Sequence, residues 1–180
     1  MVLVEGVSDQ RAVQALAERA GRDLRSEGVV VLAMGGATNI GRYLTEFGPA
    51  GRNLRVAGLC DEAEMPFFRT ALERAGLGPA GTPAELAQRG FFLCCSDLED
   101  ELIRALGVPV VEQILAEHTD LKSFRIFQRQ PDQQGKSDHA RIRRFMGTRG
   151  GRKIEYAPLL VQALDAGRVP APLAELMAAI

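Results

Sequence analysis

Met1-Val-Leu-Val-Glu-Gly-Val-Ser-Asp9 opens the chain and decides how the rest is read. Val2 to Val4 form a short apolar strand that runs into Glu5-Gly6, and a second carboxylate, Asp9, follows one helical turn later. A carboxylate at the carboxyl end of a strand, beside a Gly that lets the chain turn sharply into a helix, adds little to a core. It projects instead into the crevice where open α/β sheets bind ligands. Two further acidic clusters have the same setting. Asp61-Glu62-Ala63-Glu64 follows the apolar run Leu54–Cys60, and Ser96-Asp97-Leu98-Glu99-Asp100 follows Phe91–Cys95. Three strand ends presenting carboxylates suggest a cage for a hard divalent cation such as Mg²⁺, which takes oxygen ligands at about 2.1 Å.

The periodicity between these points alternates strand and helix. Strands are expected at Val2–Glu5, Val29–Ala33, Leu54–Cys60 and Phe91–Cys95, and helices at Ser8–Ala20, from Ile40 to Phe47, Pro66–Ala75, Pro83–Gln88 and Leu98–Leu106. Ser8 is placed to cap the first helix and Gly21 to stop it. Val29-Val-Val-Leu-Ala33 is continuously apolar, as in a central parallel strand covered on both faces. This β-α-β-α order predicts an α/β fold, a parallel sheet of about four strands with helices on both faces. Beyond Gly107 the pattern turns helical, with helices at Val108–Glu117, Asp138–Met146 and Ile154–Leu164 and an ambiguous stretch at Lys122–Gln130. We therefore expect a single domain, 1–180, with an α/β core over 1–106 and a helical elaboration over 107–180.

Composition bounds the function. At 180 residues, 46% apolar and 25% charged, the chain is long enough to bury a core. It has no apolar run of membrane-spanning length and no signal-peptide pattern at its start, so a cytoplasmic protein is expected. Cys60, Cys94 and Cys95 lack the spacing of a metal or redox site and are expected to be buried thiols. The overall net charge of −1 conceals a division. Residues 1–121 hold 11 Lys/Arg against 18 Asp/Glu, whereas 122–153 hold 10 against 2. An acidic part suits cations and a compact basic segment suits phosphates; the alternative is a solvated basic helix face answering the acidic half.

Taken singly, the acids have structural uses, since Asp9, Asp97 and Asp100 lie in first helical turns where carboxylates suit the helix dipole. Their joint placement points to metal. Two ions about 4 Å apart would clamp the attacking and leaving oxygens of a phosphodiester displacement. In the basic segment, Arg141, Arg143, Arg144, Arg149, Arg152 and Lys153 bracket Phe145-Met146-Gly147. Arg141 and Arg144 fall on one helix flank, and the Gly147–Gly151 loop carries Arg149. Arg141, Arg144, Arg149 and Arg152 are the expected contacts to a nucleic-acid backbone. The Gly35-Gly36 turn after the second strand serves either close approach to a phosphate through its N–H groups or a tight βα connection. Phe124 and Phe127 are better placed for a core than for base stacking. His118 and His139 match no zinc or nucleophile pattern and are expected at the surface or as caps. Gly135-Lys136-Ser137 imitates the end of a P-loop, but Gln130 replaces its first Gly and no apolar strand precedes it.

Leu3-Val-Glu-Gly-Val-Ser-Asp9, followed some fifty residues later by a strand ending in Asp61, resembles the toprim domain, and within it the OLD (overcoming lysogenization defect) branch. Asp97-Leu98-Glu99 matches that branch's Asp-x-Glu, and Lys153, in Gly150-Gly-Arg-Lys153, its downstream lysine. The resemblance covers most of residues 1–106. It implies Mg²⁺- or Mn²⁺-dependent chemistry on nucleic-acid phosphodiester bonds, as by an endonuclease or a related phosphotransferase. Glu5, Asp9, Asp61, Glu62, Asp97 and Glu99 would hold one or two ions, with Glu5, Asp61 and Lys153 in catalysis. The chain departs from the family's Asp-x-Asp motif at Ala63, so Glu62 or Glu64 substitutes there or one ion is weak or absent. OLD proteins usually join this domain to an ATPase, which the sequence lacks, so a separate ATPase chain is a candidate partner. Nucleic acid, DNA rather than RNA, is the other, with a homodimer as a further candidate. The alternative is a non-catalytic module with a degenerate metal site that binds nucleic acid or an ATPase.

Overall fold

A computed structural model describes residues 1–180. Four parallel strands, β1 (Val2–Val4), β2 (Val31–Ala33), β3 (Ala57–Asp61) and β4 (Phe91–Cys94), form one sheet in the order β2-β1-β3-β4. β1 pairs with β2 through Val2 and Val31 and with β3 through Val2 and Ala57. The connection out of β1 runs to one side and the connection out of β2 returns across it to the other. The strand order therefore reverses between β1 and β3, and a crevice opens at their carboxyl ends. Gly58 in β3 permits this pairing: a Cβ there would lie 2.1 Å from Leu3 O and 3.0 Å from the Phe91 ring.

Strand alternation sends Val2 and Val4 to one face and Leu3 to the other, so two cores form. On the first, Ala12, Val13 and Leu16 of α1 (Val7–Arg19) pack on the sheet with Leu102 and Ile103 of α5 (Leu98–Leu106). On the second, Ile40 and Leu44 of α2 (Ile40–Phe47) meet Phe68 and Leu72 of α3 (Met65–Arg74) and Leu86 of α4 (Pro83–Gln88). Then come α6 (Val108–Glu117), α7 (Leu121–Gln128), α8 (Asp138–Met146), α9 (Arg152–Ala163) and α10 (Ala171–Ala179). No helix is long and apolar enough to cross a membrane.

The expected α/β class and helical second half are present, with four differences. The Val29–Ala33 run forms a strand only from Val31 and lies at the edge of the sheet rather than its centre, with Val30 exposed. The ambiguous stretch around Lys122 is helix α7, because Phe124 and Phe127 bury against Phe145 of α8. Helix α1 starts at Val7 with Gly6 as its N-cap, so Ser8 does not cap it; the Gly6 N–H donates to Asp9 Oδ2 at 2.8 Å. Cys60 and Cys94 are buried as expected, but Cys95 lies past the end of β4 and is exposed. The second half is also no appendage. Tyr156, Leu160 and Val161 of α9 share one core with Val2, Val4 and α1, and α10 packs on β3 and β4. Arg22 fastens that end by donating to the Met177 and Ile180 carbonyls at 2.7 and 2.9 Å.

Candidate metal centre and nucleic-acid interface

The crevice between β1 and β3 gathers the acidic strand ends. Glu5 leaves β1, Asp9 rises from the first turn of α1, and Asp61 ends β3. Burial first, and then the charge of Glu99, pushes Asp9 up to about 7 against an ordinary value of 3.8. Asp61 is pushed up to about 8, again by burial first and then by Asp9 and Glu5. Glu5 is raised as well, by burial and by Glu64. Groups that suppress one another's ionisation in this way lie within electrostatic reach and lack sufficient positive charge.

Asp97 and Glu99 differ. Asp97 N-caps α5 by accepting the Asp100 N–H at Oδ1 (2.8 Å), and its Oδ2 accepts Nε and Nη2 of Arg143 at 3.0 and 2.9 Å. Glu99, only 4% exposed, accepts a hydrogen bond from Lys153 Nζ at 2.9 Å, and the same ammonium is 3.8 Å from Asp97 Oδ2. Burial alone would lower the Lys153 pKa, but Glu99 outweighs it and the group is held protonated. The acidic centre thus has two parts: Glu5, Asp9 and Asp61 without an ion-pair partner, and Asp97 and Glu99 paired with Arg143 and Lys153.

Ligand chemistry fits a hard divalent ion at the first part, since three crowded carboxylates ionise together only if a cation joins them. As the side chains stand, no three Asp, Glu, His or Cys groups converge into a ready ligand set. Asp9 must also share its Oδ2 with the Gly6 amide. Of the two candidates for the position left by Ala63, Glu62 is exposed, with its carboxylate 3.9 Å from Cys95 Sγ, whereas Glu64 is the one whose charge acts on Glu5.

Gly35 and Gly36 hold the site from behind. Both have positive φ, +73° and +122°, and their N–H groups donate to the Glu5 carbonyl at 3.0 and 3.2 Å. Those amides are therefore taken up by the backbone rather than open to a phosphate, and the expected phosphate contact gives way to the tight-turn role. The turn fixes the residue it faces, Glu5.

The basic segment divides as well. Arg152 is buried, 5% exposed: it donates to Phe145 O at 2.8 Å, Thr148 Oγ1 at 2.7 Å and Asp120 Oδ2 at 3.2 Å, and its guanidinium lies 3.8 Å from the Phe145 ring centroid. It is a strut between α8, α9 and the turn before α7, so the expectation that it contacts nucleic acid is corrected. Arg141 is tied to Gln133 O at 3.0 Å and Asp138 at 2.9 Å, and Arg149 to Glu155 at 2.6 Å. Arg144 is exposed. It lines an open cleft of roughly 340 Å³ with Asp97, Asp100, His139, Arg143, Gly147 and Lys153. His139 and Arg143 have no functional role in the sequence reading. The signal was their spacing, since residues 139, 143 and 147 recur every four and so share one face of α8 and its extension. The largest cleft, roughly 650 Å³, lies at the far end of α1 around Arg22 and Leu24, away from these groups.

With this geometry in place, the comparisons are consistent with it. Residues 1–61 match the family described as "Overcoming lysogenization defect protein-like, TOPRIM domain". The C-terminal region of the Xanthomonas campestris pv. campestris OLD protein, from crystals phased with platinum, superposes with a TM-score of 0.76, covering 99% of this chain and 90% of that one at 24% identity. The chain has an OLD-type toprim fold. The C-terminal region of the Burkholderia pseudomallei OLD protein superposes at 0.68, over 99% of this chain and 94% of that one, at 21% identity. No curated protein matches the chain. In this OLD-type toprim fold, Glu5 and Asp61 close the two strands that flank the switch point.

Proposed function

We propose that this protein is a divalent-metal-dependent nuclease that hydrolyses nucleic-acid phosphodiester bonds at the β1–β3 crevice. The observation that carries the reading is the set Glu5, Asp9 and Asp61, half-buried, mutually repelling and without an ion-pair partner, with the Lys153 ammonium within electrostatic reach of Glu5 and Asp9. Residues 1–61 match a family of metal-binding domains that process nucleic acids, which supports the same chemistry. When bound, a Mg²⁺ or Mn²⁺ ion supplies Lewis acidity, lowering the proton affinity of water and neutralising phosphate charge. Glu5, Asp9 and Asp61 would hold it, with Glu64 beside Glu5 in the place left by Ala63. Lys153 opposes the negative charge that builds on the phosphate oxygens during displacement. Arg143 and Lys153 already pair with Asp97 and Glu99, which favours one ion over two. Arg144 binds the substrate backbone at the cleft mouth.

The test is cleavage of supercoiled plasmid and of labelled single-stranded DNA and RNA with Mg²⁺, Mn²⁺ or EDTA. Wild type runs beside Glu5→Ala and Asp61→Ala. Metal-dependent cleavage that both substitutions abolish supports the nuclease. Binding without cleavage under every metal condition replaces it with a binding module that recruits nucleic acid or a separate ATPase.

A further inference from the structure

Beside the carboxylates lies a second constellation that metal chemistry does not use. Asp100, buried in the first turn of α5, places Oδ1 2.6 Å from His139 Nε2, and its other oxygen is held by the Arg104 guanidinium. With the Arg104 guanidinium on its other oxygen, Asp100 accepts from Nε2, and Nδ1 is the nitrogen left for other work. The His139 side chain is 32% exposed and lines the same cleft as Asp97 and Lys153, and the Lys153 ammonium acts electrostatically on Glu5 and Asp9. The other charged groups on the cleft are Arg143, paired with Asp97, and Arg144. A pocket with three cationic side chains, adjoining a carboxylate cluster, fits a phosphodiester whose scissile phosphorus lies toward Lys153. A histidine oriented by a buried carboxylate then stands on the leaving-group side.

We propose that His139, oriented by Asp100, is the general acid of the cleavage reaction, an assignment that rests on the nuclease reading above. Water adds to phosphorus and loses one proton to solvent. The bond from phosphorus to the leaving sugar oxygen breaks with its electron pair on oxygen, and the proton on His139 Nδ1 passes to that oxygen. Neutral His139 then recovers a proton from solvent. Asp100 accepts from Nε2 throughout and stabilises the imidazolium before transfer, which makes it a positioning residue.

A leaving sulfur departs as a thiolate without a proton, so oligonucleotides with sulfur in place of the 3′- or 5′-bridging oxygen at the cleaved linkage report on the acid directly. With Mn²⁺ throughout, His139→Gln is expected to slow the all-oxygen substrate by about 10²- to 10⁴-fold. On the bridging-sulfur substrate of matching polarity it should run within about threefold of wild type. Asp100→Asn should show a smaller loss with the same rescue. The Mn²⁺-induced rise in melting temperature should be unchanged in His139→Gln, which touches none of the metal-binding carboxylates. If His139→Gln cleaves the oxygen substrate like wild type, or loses both substrates equally, His139 is not the acid. If wild type is inert on both substrates, the nuclease reading falls and takes this assignment with it.

Discussion

Lys153 Nζ sits 2.9 Å from Glu99 Oε2 and 3.8 Å from Asp97 Oδ2, so one ammonium from the first turn of α9 ties the second half of the chain to the acidic start of α5. Glu99 is buried, and removing its partner leaves a carboxylate without a counter-charge. Lys153→Met is expected to cost about 1–2 kcal/mol in urea unfolding, less than a fully buried pair because the lysine is 39% exposed. Adding Glu99→Gln should restore most of that stability. Activity should stay lost in both variants if the ammonium serves the phosphate, and a double mutant with wild-type cleavage would limit Lys153 to a structural role.

The raised carboxylates make a pH prediction with a definite sign. Asp9 and Asp61 titrate near 3.8 when unfolded and at about 7 and about 8 when folded, so the folded state holds more protons between those values. Their contribution to stability is full below about pH 4 and is lost as pH rises through 7 to 8. Without metal, the melting temperature should fall across that window. Mg²⁺ or Mn²⁺ binds the ionised forms, so its stabilising effect should be small at pH 5.5 and large at pH 8.5. Asp61→Asn should raise the metal-free melting temperature at pH 8.5 and remove most of the metal-induced gain. Differential scanning fluorimetry checks both, and a metal effect independent of pH would contradict the assignment.

How far the sequence could be read follows from the range of the forces involved. Glu5, Asp9 and Asp61 were legible because strand periodicity and a local Gly turn place them, and those are short-range effects. Helices α4, α5, α6 and α8 carried their own caps and stops and appeared where expected. The roles of the arginines were not legible. Arg152 and Arg144 stand eight residues apart in the same basic run, yet one is buried on Phe145 and Asp120 and the other is exposed, a difference fixed by packing between α8 and α9. His139 escaped for the same reason, since Asp100 lies 39 residues away and only the fold joins them.

Gly36 tests whether the glycine turn acts on Glu5 or on substrate. At φ +122° an alanine is strained, and Gly36→Ala is expected to cost roughly 1–3 kcal/mol. Because the turn donates to the Glu5 carbonyl, the substitution should also weaken Mn²⁺ binding by calorimetry. Nucleic-acid affinity measured in EDTA should hold. Loss of that affinity with metal binding intact would return the turn to a phosphate-binding role.

Arg152 and Arg144 should separate cleanly by experiment. Arg152→Ala removes three hydrogen bonds from a buried guanidinium and leaves Asp120 with Tyr156 and the more distant Arg149, so a loss of roughly 2–4 kcal/mol is expected. Arg144→Ala should change stability by less than about 0.5 kcal/mol. Its effect should appear in binding: nucleic-acid affinity falls, and the slope of log K against log salt becomes shallower by about 1, as when one phosphate contact is removed. Equal salt slopes for wild type and Arg144→Ala would place the substrate backbone elsewhere, with the exposed Arg149 the next residue to substitute.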